Sequence, residues 1–467
     1  MTSITESILD DFRHALAGRV ITAADPDFDT ARGVWNGEID RRPALIARCA
    51  GPTDVREAIH FARQLDLEVA VRGGGHNFGG AAVCEGGMMI DLSALRTVAV
   101  DPGARTARVG GGATMADLDA ATQAHGLAVP AGTVSHTGVG GLALGGGFGW
   151  LTNGFGLTCD NLLSAQVVTA DGEMLHASPD EHPDLFWALR GGGGNFGVVT
   201  EFEFRLYPVG PIVQVGLFFW DLEHGADALR LCREITEGLP TSMGAMIAGM
   251  NAPPEPFVPE ASHFQPGYAL VLAGFGTAAA HAGLAQRVRD GLRPLFELVT
   301  PMPYVQLQQL LDNAAPWGIL AYEKAVNLES LSDGVIDVFT RHMRHKNSPM
   351  SIVPVFPTGG AFRMVDEDAT AFGGSRRTGL LFNIGAIAPT MDLLNADRGW
   401  VRAFYDDLLP HAMGPGSYVN FIDDFAVDGD RVRASYGPAK YARLAQIKAM
   451  YDPENIFHRN PNIKPAR

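Results

Sequence analysis

The run Val69-Ala70-Val71-Arg72-Gly73-Gly74-Gly75-His76-Asn77 carries the densest chemistry in the chain. A β-branched strand ends in three glycines and a histidine. Without Cβ atoms, successive amides can turn inward and form a nest for a pyrophosphate. Arg72 adds a fixed positive charge suited to phosphate oxygens. His76 follows as an imidazole nucleophile beside whatever the phosphates belong to. The same residues also read as a tight turn ending in a surface histidine.

Two further glycine groups imitate a dinucleotide fingerprint. Gly138-Val139-Gly140-Gly141-Leu142-Ala143 fits G-x-G-x-x-A with Asp160 downstream, and Gly192-Gly193-Gly194-Asn195-Phe196-Gly197 fits G-x-G-x-x-G. A Rossmann site needs a strand before the glycines and a helix after them. Thr133 to Thr137 makes a poor strand, and the second group runs straight into Val198-Val199-Thr200. Both contexts fail, so a nicotinamide Rossmann domain is not expected.

The chain has 467 residues, 56 of them glycine, and the glycines cluster between residues 73 and 197. Apolar, strand-like segments separate the clusters, so they mark close backbone approach and not low complexity. The length calls for two domains. A formal net charge of −16 leaves no basic stripe for nucleic acid. Arg341 to Lys346 reads as a solvated helix face. No apolar run is long enough for a membrane span, and the N-terminus lacks the features of a signal peptide. Cys49, Cys84, Cys159 and Cys232 show no CxxC spacing, so neither a metal site nor a disulfide framework is expected. Reduced thiols and a cytoplasmic location follow as expectations.

The elements that must position these residues begin with a β–α–β unit: a strand at 43–49, a helix at 53–62 with Thr53 as its capping residue, and a strand at 67–71. Residues 1–35 read as a helix and a connector. Strands follow at 88–92 and 107–110, a helix at 115–122, and strands at 163–169 and 198–204. Past Pro208 the glycine clusters end. Strands at 213–219 and 269–273 alternate with helices at 278–293 and 328–346. A glycine-rich turn at 411–416 precedes Tyr418-Val419-Asn420-Phe421.

Taken in order, four glycine-bearing segments and the C-terminus resemble the FAD-binding (PCMH-type) fold of the vanillyl-alcohol oxidase superfamily, in its berberine-bridge-enzyme-like branch. The segments are Arg72 to Asn77, Pro130 to Gly149, Gly156-Leu157-Thr158-Cys159-Asp160-Asn161, and Asp184 to Thr200; the C-terminal pieces are Tyr418 to Phe421 and Tyr451 to Asn460. The resemblance implies an α+β chain. Residues 1–208 form an FAD-binding domain of two α/β subdomains, residues 209–415 a substrate domain with an antiparallel sheet flanked by helices, and residues 416–467 return to the FAD domain. It implies that Arg72, Gly73, Gly74, Gly75, Asn77, Gly132, Thr133, His136, Gly138, Gly141, Gly145, Asp160, Val199, Asn420 and Asn460 bind FAD. It also implies a covalent 8α-histidyl bond from His76.

Many members of the branch carry a second, cysteinyl link. Here Val134 holds that position, so a single covalent link is expected. The implied reaction is hydride transfer from an alcohol or amine of a small or medium organic molecule to flavin N5, with oxygen reduced to hydrogen peroxide. A non-oxygen acceptor or a monooxygenase or cyclase reaction are the alternatives. Alcohol-oxidising members use a tyrosine where this chain has Phe421; Tyr418 either replaces it as a base or packs on the flavin, and Asn420 positions flavin or substrate. Amine oxidation needs no strong base. Leu162 is expected near the flavin, and Tyr304, Trp317, Tyr322 and Glu323 are candidates for the substrate face or for plain packing.

Overall fold

The computed structural model describes residues 5–422 and 429–467. Its first sheet has four strands. Leu45–Arg48 and Val69–Arg72 both pair in parallel with Met88–Asp91, and the helix Pro52–Gln64 forms the crossover. The helix buries Val55, Ala58, Ile59, Phe61 and Ala62 on this sheet, the 3.6-residue spacing of an amphipathic helix. Its start differs from expectation: Gly51 is the N-cap and Pro52 opens the helix, so no Thr53 side chain caps it. A further edge strand, Arg19–Thr22, pairs antiparallel with Leu45–Arg48 inside the segment read as a connector. It has only four residues, too few to show an alternating pattern.

The second sheet has five strands in the spatial order Val98–Asp101, Thr106–Gly110, Val198–Arg205, Leu162–Val168, Met174–Ala177, and every pairing is antiparallel. Its central strand follows the glycine group at 191–197. The helices Met115–Gln123 and Pro183–Leu189 cover it, together with the C-terminal helix Gly429–Tyr451, which is kinked at Gly437 and Pro438. The tail thus packs against elements laid down more than 200 residues earlier, with Tyr436 and Leu444 in the same core as Trp187 and Phe202.

The third sheet has seven antiparallel strands, in the order Phe296–Pro303, Ile212–Asp221, Pro266–Gly274, Met243–Asn251, Val353–Pro357, Leu380–Ala388, Leu320–Leu328. Helices Gly225–Thr236, Ala278–Gly291, Asp333–Met343 and Met391–Leu408 cover one face. Asp333–Met343 shows why: Val335, Ile336, Val338, Phe339 and Met343 are all buried, each worth about 1.5–3 kcal/mol in transfer from water. This helix was expected from residue 328. The strand instead runs through Leu328, and Ser332 caps the helix by accepting from the Val335 amide. The other face of the sheet turns toward the glycine loops. Among the described residues, no helix is long and apolar enough to cross a membrane. All four cysteines are free and buried.

Candidate active site

A cavity of about 400 Å³ lies between the glycine loops and the bare face of the large sheet. Its glycine wall is made of two loops that cross at backbone distance. A Cβ on Gly74 would sit 2.3 Å from the Gly138 nitrogen, and one on Gly138 would sit 2.3 Å from the Gly74 nitrogen. Gly75 has φ +67°, a left-handed conformation that favours glycine. Gly73, Gly74, Gly75, Asn77, Gly132, Thr133, Gly138, Gly141 and Val199 all line the cavity. From the C-terminal tail, Tyr418, Asn420, Phe421 and Asn460 line it too.

His76 faces the cavity with its ring stacked on Trp35, centroids 4.6 Å apart and planes 17° apart. Its Nε2 lies 3.1 Å from Nδ1 of His136. Enclosure by protein, with the neighbouring imidazole second, pushes the His76 pKa down to about 3, so this ring is neutral. His136 is half-buried behind His76, with its own affinity for protons lowered by burial.

Tyr418 is buried, and its hydroxyl accepts from the Gly147 amide at 2.8 Å and from Asn420 Nδ2 at 2.9 Å. Burial pushes its pKa up, so the phenol keeps its proton. At neutral pH it is therefore a hydrogen-bond donor, which favours the packing role over the base role, the two left open for it by its position. Phe148 and Phe421 stand edge-on to it, at 5.1 and 5.0 Å.

Several expected site residues lie elsewhere. Arg72 turns back into the protein: it donates to the Ala31 carbonyl at 2.5 Å and faces Asp91, because the pleat alternates side chains across the strand that bears it. Asp160 is held in a buried, two-pronged ion pair with Arg376, at 2.7 and 2.8 Å. Gly145 leaves room for the Asn420 side chain and does not line the cavity. Leu162 and Tyr304 are core residues. Tyr322 points to the helix-covered face, where Arg398 and Arg402 stack on it. Trp317 is 48% exposed and sits edge-on to His136. Glu323 is buried and accepts from Asn383 Nδ2 at 2.7 Å.

Asn383 was missed. It lines the cavity, and its Oδ1 is buried with no hydrogen-bond partner. The signal was present: it is the single polar side chain in the strand Leu380–Ala388. Arg459, also missed, is the cation among the described lining residues, and its Nε is buried without a partner. Trp35 gave no signal; it arrives from a segment with no regular structure.

The fold and this site define an FAD-linked oxidoreductase. A family described as FAD binding domain matches residues 43–178, and one described as berberine and berberine-like matches residues 417–464. The chain is 30% identical to (R)-6-hydroxynicotine oxidase of Paenarthrobacter nicotinovorans, over 97% of each chain. The crystal structure of 6-hydroxy-D-nicotine oxidase from Arthrobacter nicotinovorans superposes with a TM-score of 0.84, at 27% identity, covering 97% of this chain and 98% of that one. Glucooligosaccharide oxidase from Acremonium strictum, whose FAD is described as 6-S-cysteinyl, 8α-N1-histidyl, shares the fold, with a TM-score of 0.83, 23% identity, and 97% and 99% coverage. The chain belongs to the berberine-bridge-enzyme-like family of FAD-dependent oxidoreductases.

Proposed function

We infer that this enzyme is an oxidase that holds FAD through one covalent bond, from His76, and oxidises a flat, apolar molecule at a C–H beside an amine nitrogen, with oxygen as the acceptor. The cavity's composition carries this reading. At one end, glycine amides of the Gly73 to Gly75 and Gly138 loops, the unpaired Arg459 Nε and the unpaired Asn460 Oδ1 fit a phosphate-bearing dinucleotide. At the other end, Phe148, Phe356, Phe421 and Ile387 form an apolar slot with one buried acceptor, Asn383 Oδ1. When bound, FAD supplies the two-electron acceptor that the side chains lack.

The link is single because no thiol is at hand. Val134 lines the cavity, and none of the four cysteines does. The amine preference follows from proton bookkeeping. An alcohol must lose its O–H proton to a base as its C–H bond breaks. Among the described residues, no carboxylate or lysine lines the cavity, Tyr418 keeps its own proton, and His76 is committed to the cofactor. A neutral amine brings its own lone pair. Its N–H can donate to Asn383 Oδ1, which is aimed by the Asn383 amide hydrogen bond to Glu323.

The test is the visible spectrum of the purified protein, followed by acid precipitation. Flavin retained in the pellet, and lost from it in His76→Ala, supports the covalent assignment. A peroxide-coupled screen of aromatic amines and matched alcohols then separates the substrate classes. Flavin released to the supernatant refutes the histidyl link, and turnover without oxygen consumption refutes the oxidase.

A further inference from the structure

Tyr418 is 3% exposed and lines the cavity, so the bonds of its hydroxyl can be followed one by one. A phenol oxygen accepts hydrogen bonds and has one proton to give. The Gly147 amide donates to it at 2.8 Å and Asn420 Nδ2 at 2.9 Å. The Asn420 amide cannot turn round and accept instead. Its nitrogen also donates to the Leu142 carbonyl at 3.3 Å, and reversal would set two oxygens face to face. Among the described residues, no atom accepts the Tyr418 proton. A buried donor left without an acceptor forfeits the hydrogen bond it made with water.

The hydroxyl is also held in place. The Phe421 amide donates to the Tyr418 carbonyl at 2.9 Å across a single tight turn, which sets the two rings edge-on at 5.0 Å and 83°. Phe148 stands 5.1 Å from Tyr418 and meets Phe356 at 5.0 Å. Gly147 has φ +79°, and a Cβ there would lie 2.3 Å from Thr158 Oγ1, so glycine is what lets this amide reach the phenol. Phe148, Phe356 and Phe421 are walls of the apolar slot, and the free proton stands among them.

We propose that the Tyr418 hydroxyl is a specificity-determining donor: it binds a neutral acceptor on the substrate, a carbonyl oxygen or a ring nitrogen, set apart from the atom that is oxidised. This rests on the substrate slot of the reading above and deepens it by naming a second group that the substrate carries. The amine nitrogen is not that acceptor, because a lone pair engaged by Tyr418 no longer supports the departing hydride. Its N–H goes to Asn383 Oδ1, the buried acceptor of the slot. The slot thus offers one acceptor and one donor. Its rings and amide supply no positive charge for an anionic group; among the described lining residues the cation is Arg459, at the dinucleotide end. An aromatic amine that also bears a ketone, an amide or a pyridine-type nitrogen satisfies both groups.

The experiment titrates flavin-loaded, full-length protein with acetophenone and with its isopropenyl isostere, following the flavin absorbance, in the parent and in Tyr418→Phe. The two ligands share one shape, and only the ketone can take a proton. The ratio of their Kd values, ketone over alkene, is expected to rise about tenfold or more in the variant. A loss of packing or stability weakens both ligands and leaves the ratio where it was. An unchanged ratio overturns the proposal, and a shifted flavin spectrum in the ligand-free variant would then assign the proton to the cofactor. A series of para-substituted ketones, each beside its matched alkene, needs only the parent. Relative affinity should climb with the basicity of the carbonyl, and a flat series overturns the proposal. The amine reading fails separately, when the peroxide screen finds alcohols oxidised and amines untouched; the Kd ratio still decides the role of Tyr418.

Discussion

Asp160 and Arg376 tie the glycine-rich half of the chain to the large-sheet half, and breaking the pair tests whether Asp160 serves the fold or the cofactor. Their side chains are 7% and 4% exposed, and the contact is two-pronged at 2.7 and 2.8 Å. Arg376 also lies between Phe362 and Phe372, at 5.1 and 5.0 Å from the ring centroids. Asp160→Ala leaves the guanidinium buried without its anion, which costs about 3–5 kcal/mol. At roughly 2.1 cal/mol/K per residue, the 467 residues carry an unfolding entropy of about 1 kcal/mol/K, so cooperative unfolding predicts a Tm about 3–5 °C lower. Arg376→Met costs a similar amount by stranding the carboxylate. The double variant should lose less than the sum, with a coupling of about 2 kcal/mol, because neither charge is then left alone. Thermal unfolding of the four proteins, with flavin content measured beside it, is the assay. Additive losses would refute the pairing argument. An unchanged Tm with easier loss of flavin in Asp160→Ala would return this residue to the cofactor site.

Three other outcomes follow from the same geometry. Buried Asp119, bonded through Oδ2 to Gln308, has its pKa raised to about 7 by burial, against 3.8 when free. The native state therefore holds this proton more tightly than the unfolded chain. That stabilisation is complete below about pH 4 and is lost as pH rises through 7, by up to about 4 kcal/mol. Asp119→Asn should flatten the fall in Tm between pH 5 and pH 8, and a parallel fall in both proteins would show that Asp119 does not titrate there. Gly74→Ala drives a Cβ to 2.3 Å from the Gly138 backbone, so the two loops must part. The cost is about 1–3 kcal/mol and most of the bound flavin, read from the visible spectrum of the purified variant; full flavin content would contradict the loop crossing. Asn383→Leu removes the buried acceptor of the slot. With an amine found by the peroxide screen, kcat/KM should drop about tenfold or more while acid-stable flavin is unchanged. An unaltered kcat/KM would remove Asn383 from the substrate site.

What could be read from the sequence was whatever is written in local order. The β–α–β unit was legible because the strands at 45–48 and 69–72 are apolar runs and the helix between them repeats its apolar residues at helical spacing. The glycine wall was legible because a triple glycine before a histidine is a statement about backbone, and backbone at Gly74 and Gly138 is what meets. Val134 in place of a cysteine needs only a residue type. Tertiary structure decided the partners. Arg72 looked like a phosphate ligand beside its glycines, yet strand pleat and the nearby Ala31 carbonyl turn it inward. Asp160 needed Arg376, 216 residues away, to become an ion pair. Asn383 became a site residue only when its strand took a place beside Leu320–Leu328 with Glu323 beneath it. His136 met His76 across 60 residues of chain. Spacing in sequence sets which way a local element faces, whereas the chemistry of a buried side chain is set by what lies opposite it, and that depends on chain closure over long distances.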